Sequence, residues 1–124
     1  MKLIYYGKLP GINDLTLSNR TNRYAGAFLK KTNMQRVAND FKIQARGVKF
    51  KKHVNIKINC YEANFRRDDD NVTGGASKII CDALQLANII INDSPKFVHV
   101  VAERFQSADK TYRTEVIIEE GERP

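Results

Sequence analysis

Between Val54 and Tyr61 apolar and polar residues alternate without a break, with Val54, Ile56, Ile58 and Cys60 on one phase and Asn55, Lys57 and Asn59 on the other. A period of two predicts a strand buried on one side over 54–61. From about Arg20 to Gln44 the period changes. Tyr24, Ala27, Phe28, Met34, Val37, Ala38 and Phe41 recur every three to four positions, which predicts a helix with one buried face, and Ser18 or Asn19 is placed to cap it. Val72, Ala76, Ile79, Ile80, Ala83, Leu84 and Ala87 repeat that spacing and predict a second helix ending near Asn88. Residues 2–8 are rich in β-branched and aromatic types and stop at Pro10-Gly11, a strand followed by a turn. Two more strands are expected at about 97–105 and 111–119, joined through Ser107-Ala108-Asp109-Lys110. The order β-α-β-α-β-β points to an α+β fold, a small mixed sheet with two helices packed on it.

A chain of 124 residues has room for one hydrophobic core, so 1–124 reads as a single domain. No internal repeat or linker divides it. The stretch from Met1 to Leu9 is too short and polar for a signal peptide, and no apolar run approaches the ~20 residues of a membrane span, so a cytoplasmic protein without membrane association is expected. Cys60 and Cys81 have neither a CxxC spacing nor a histidine at ligand distance, which argues against zinc and a disulfide framework and for reduced core thiols.

Charge changes the picture more than composition does. The net charge of +7 favours a polyanionic partner. Arg20, Arg23, Lys30, Lys31, Arg36, Lys42, Arg46, Lys49, Lys51 and Lys52 follow one another with Asp40 as the sole acid among them, an electrostatic footprint suited to nucleic acid. A solvated helix surface is the plainer reading of the same run.

Beyond the second strand comes Arg66-Arg67-Asp68-Asp69-Asp70-Asn71. If the strand persists, Asp68 and Asp70 point the same way. Two like charges about 4 Å apart repel by roughly 4 kcal/mol at an effective dielectric of 20, so such a pair calls for a cation or a shared proton. Mg²⁺ is the hard, oxygen-seeking ion expected there, with Mn²⁺ equally suited to carboxylates. Asp93, in a polar break after the second helix, is placed to return as a third carboxylate. Three carboxylates around Mg²⁺ suit phosphodiester hydrolysis, and Lys78 on the intervening helix suits the scissile phosphate. Structural roles compete: Asp70 suits a helix N-cap and Asp93 a turn. A calcium loop starting at Asp69 fails, because its twelfth position is Ile80 rather than Glu.

The string Arg66-Arg67-Asp68-Asp69-Asp70-Asn71, then Lys78, Asp82-Ala83-Leu84 and Asn92-Asp93, resembles the RusA-type Holliday junction resolvases of phages and prophages. Those enzymes carry Asp-x-Asp-Asn, a lysine, Asp-Ala-Leu and a final Asp-Asp. Leu9-Pro10-Gly11-Ile12-Asn13-Asp14 and Asn22-Arg23-Tyr24-Ala25 look like the phage branch of that family, so the resemblance runs from about residue 9 to 118. It implies that Asp68, Asp70 and Asp93 bind Mg²⁺ and are catalytic, that Lys78 is the catalytic lysine, and that a homodimer in a bacterial host cell nicks a four-way DNA junction symmetrically, with no small-molecule cofactor. Arg20, Arg23, Lys30, Lys31, Arg66, Arg67 and Asn71 are the expected DNA contacts.

Two departures stand out. Asn92 replaces the first Asp of the usual pair. Lys78 falls eight residues after Asp70, where better-known members place the lysine at four, and an extra helical turn there adds ~6 Å. Gly74-Gly75 lies in this insertion, and two helical glycines cost ~1 kcal/mol each. A loop or a close backbone approach to phosphate is therefore expected there, with the helix starting near Ala76 or Ser77 and Lys78 in its first turn.

Overall fold

The computed structural model describes the backbone of all 124 residues and the side chains of all but Ser18, Asn19, Thr21 and Arg23. Seven elements follow in order: β1 (Lys2–Tyr6), α1 (Ile12–Thr21), α2 (Arg23–Ala45), β2 (Val54–Glu62), α3 (Asp69–Leu86), β3 (Val98–Gln106) and β4 (Arg113–Glu120). The α+β class, the mixed sheet and the two helices packed on it, α2 and α3, match the sequence expectation; α1 is a third helix and packs on those two.

The sheet runs β1-β4-β2-β3. Strand β2 is its spine, pairing parallel with β3 from Val54↔Val98 to Glu62↔Gln106 and antiparallel with β4 from Val54↔Glu120 to Tyr61↔Arg113. A parallel pair needs a crossover connection, and α3 supplies it. Strands β3 and β4 are joined in sequence but not to each other by hydrogen bonds, since β2 lies between them.

The alternation along β2 does what its period requires. Val54, Ile56, Ile58 and Cys60 face a core shared with Val116 and Ile118 of β4, Leu3 of β1, Val37, Ala38 and Phe41 of α2, and Ile79, Ile80, Ala83 and Leu84 of α3. Burial pushes the Cys60 thiol up to about 12 and the Cys81 thiol up to about 11, the latter helped by Asp93 and Asp82. Both cysteines are free and buried. Neither should react with iodoacetamide at pH 8 until urea unfolds the chain, which mass spectrometry of the alkylated protein would register; rapid native labelling of both would contradict their packing.

The helix expected from Arg20 is two helices. Asn22 interrupts it in extended conformation, and its Oδ1 accepts from Tyr24 N at 2.8 Å and Ala25 N at 3.2 Å, capping α2. The expected cap residues Ser18 and Asn19 fall inside α1, and their side chains lie outside the described residues. Only the C-terminal half of α2 reaches the core. Tyr24, Ala27 and Phe28, assigned to the buried face by their spacing, are exposed.

Candidate metal and phosphate site

The C-terminal end of the loop 63–68 that leads from β2 into α3 is anchored by Arg67. Arg67 Nε and Nη2 donate to the two carboxylate oxygens of Glu62, each at 2.9 Å, and Nη1 donates to Leu9 O at 2.9 Å. Asp14 stands 3.7 Å away as a further ion-pair partner. Glu62 is only 5% exposed, at the end of β2, and the Arg67 side chain is 14% exposed. A planar guanidinium fork meeting a buried carboxylate is the geometry in which an ion pair is strong. Arg67, expected to touch DNA, is thus spent inside the protein, pinning the acidic loop to the N-terminal segment.

Asn71 also has a structural role. Its Oδ1 accepts from Asn13 N at 2.8 Å, in the first turn of α1. Asp14 of α1 reaches back to Gly11 N at 2.8 Å. Together they form a capping box whose N-cap half comes from another helix, because Gly11 has no side chain to give. Gly11 has no space for one either: a Cβ there would lie 2.4 Å from Asn71 Oδ1. Gly75 meets the same segment, where a Cβ would come within 2.2 Å of Pro10 O. Gly74-Gly75 therefore lies within a continuous 18-residue α3, and the close backbone approach it permits is to Pro10-Gly11. The helix starts at Asp69, so Lys78 sits in the third turn, about 12 Å along the axis from Asp70.

Asp68 holds the N-cap position of α3 with extended backbone (φ −65°, ψ 152°), yet its side chain makes no capping hydrogen bond. An N-cap aspartate ordinarily accepts from the first-turn amides, worth about 1 kcal/mol. Here the carboxylate stays free. Asp68 and Asp70 are exposed and line one depression of about 570 Å³ with Phe65, Arg67, Asp69 and Arg104. Neither carboxylate has a hydrogen bond or ion pair to any described residue, whereas that of Asp69 between them stands 3.6 Å from Arg104. The strand stops at Glu62, so the two carboxylates share a wall through the first turn of a helix and not through strand alternation. The α3 macrodipole favours negative charge at this end and offsets part of their repulsion.

Asp93 and Lys78 line a second depression of about 410 Å³ with Lys30, Ser77, Cys81 and Asp82. The same selectivity recurs. Asp82 is paired with Lys30 at 2.9 Å, while Asp93 and Lys78 have no hydrogen bond or ion pair to a described residue. The expected convergence of three carboxylates on one point is not what the fold presents. Among the described residues no three His, Cys, Asp or Glu side chains gather closely enough to hold one ion. The donor set itself, hard carboxylate oxygens left without protein partners, fits a cation such as Mg²⁺.

Of the other expected DNA contacts, Arg20, Lys31 and Arg66 are exposed, Lys30 is exposed but paired, and Arg23 lies outside the described side chains. Arg104 and Phe65 were not anticipated. Arg104 was visible in principle as a charged residue at the inward phase of β3, after Val98, Val100 and Ala102. Set against models of known protein families and against curated proteins, the chain matches none. No helix of the described residues is long and apolar enough to cross a membrane.

Proposed function

We propose that the protein is a metal-dependent, structure-selective DNA endonuclease of the RusA type, which resolves four-way junctions during recombination and repair. The observation that carries this reading is the selective isolation of its acids. Among the described residues the carboxylates of Asp68, Asp70 and Asp93 have no partner, while Asp14, Asp69 and Asp82 each face a cation. Carboxylate oxygens left open to solvent at one helix end are available to a hard divalent cation.

In this reading Asp68 and Asp70 would hold Mg²⁺, or Mn²⁺ in its place, and Asp93 would act from the second depression, beside Lys78. A divalent cation there supplies Lewis-acid stabilisation to phosphodiester hydrolysis at neutral pH. Lys78, unpaired on the same helix, offers a positive charge to a phosphate oxygen or the departing oxyanion. The Arg67–Glu62 pair keeps the loop, and hence Asp68, in place. Arg20, Lys31 and Arg66 supply exposed positive charge for the DNA backbone. Paired nicks across a junction require two sites and therefore two copies of the chain.

The direct test is incubation of a synthetic four-way junction with the wild-type chain. Paired nicks should appear with Mg²⁺ or Mn²⁺ and vanish with EDTA, and Mg²⁺ should raise the melting temperature by an amount that grows with the logarithm of its concentration above Kd. Junction binding without cleavage, and without a metal-induced shift in melting, would instead favour a non-catalytic nucleic-acid-binding protein whose acids are structural.

A further inference from the structure

Phe65 is 76% exposed, in the loop that delivers Asp68, and it lines the same depression as Asp68, Asp69 and Asp70. Its ring is not loose. The Arg104 guanidinium lies 4.8 Å from its centroid, close enough for a cation–π contact on one face. Arg104 is in turn fixed, with its side chain 7% exposed and Nη2 donating to Asn64 O at 2.5 Å. Its buried Nε has no hydrogen-bond acceptor, and the Asp69 carboxylate stands off at 3.6 Å. An aromatic ring backed by a buried cation, with most of its surface in water beside two unpartnered carboxylates, is costly in apolar exposure and contributes nothing to the core.

We infer that Phe65 is a stacking platform for an unpaired nucleobase at the DNA branch, set so that the phosphate next to that base faces the Asp68–Asp70 depression. The inference rests on the nuclease reading and deepens it by naming what distinguishes a branch from plain duplex. Every base offers a π-face, but in duplex DNA both faces are occupied by neighbours, whereas a branch point can release one at little cost. Arg104 holds the ring on one side and leaves the other for the base. Selectivity for branched substrate thus comes from an aromatic side chain next to the acids, and affinity for the backbone from the basic residues.

The test uses a four-way junction carrying 2-aminopurine at the branch nucleotide and a duplex of equal length, both titrated with the chain in EDTA so that no cutting occurs. Stacking on Phe65 should quench the fluorophore. Phe65→Ala should abolish the quenching and weaken junction binding about 5- to 150-fold, the worth of one base–aromatic stack, while duplex affinity stays unchanged. Phe65→Trp should retain both the quenching and the affinity. Because the side chain is largely in water, Phe65→Ala should melt with the wild type. If Phe65→Ala binds and quenches like the wild type, the stacking role is overturned and the nuclease reading stands. A wild-type chain that binds neither DNA overturns both.

Discussion

Asp70→Asn should bind a four-way junction as the wild type does in a gel shift, yet nick it about a thousand-fold more slowly or not at all. The substitution keeps the shape of the side chain and removes the charge that recruits the cation. The Lewis-acid contribution at risk is several kcal/mol, and each 1.4 kcal/mol of barrier is tenfold in rate. Asp70 is exposed and unpaired in the first turn of α3, so nothing in the fold leans on its carboxylate beyond a modest interaction with the helix dipole. Asp69→Asn provides the contrast. Asp69 faces Arg104 and not the open depression alone, and its loss should leave most of the nicking rate. Undiminished cleavage by Asp70→Asn, measured under single turnover, would remove this carboxylate from the site.

Arg67→Ala should cost the fold about 3–5 kcal/mol, because it strands the Glu62 carboxylate at the end of β2 with no countercharge. Domains of this size have total stabilities of about 5–15 kcal/mol, so the urea midpoint should fall sharply. A double variant, Glu62→Gln with Arg67→Met, should recover much of the loss, since it removes the isolated charge along with its partner. Arg67→Lys should recover less, as one ammonium cannot serve both Glu62 oxygens and Leu9 O in a single plane. An unchanged midpoint for Arg67→Ala would mean that the pair contributes no net stability.

What the sequence could reveal divides along a physical line. Strand β2 and the core half of α2 were legible because their periodicity answers to burial, and burial is local in sequence. Helix α1 was not legible. Its residues 12–21 carry only three apolar side chains, Ile12, Leu15 and Leu17, and its first turn is completed by Asn71, a residue far away in the chain. Gly74-Gly75 misled for the same reason. Their intrinsic cost in a helix is real, but Pro10 and Gly11 lie so close that only glycine fits at 75. Arg67 and Asn71, which sit inside the acidic motif and so invited a DNA role, turned out to be committed to Glu62 and α1. The free states of Asp68, Asp70, Asp93 and Lys78 depend on which neighbours are paired, and spacing alone carries no information about that.

The cap that Asn71 lends to α1 also imposes an order in time. The bond from Asn13 N to Asn71 closes a loop of 58 residues that contains α2 and β2. Of the two bonds that complete the first turn of α1, the one from Gly11 N to Asp14 is local, and the one from Asn13 N forms only once α3 is in place. Loop-closure entropy sets this long-range cap apart from the local contacts that α1 makes with α2. The segment that threads past Gly75 thus clasps α3 to α1 and also holds the loop that carries the acids, through Leu9.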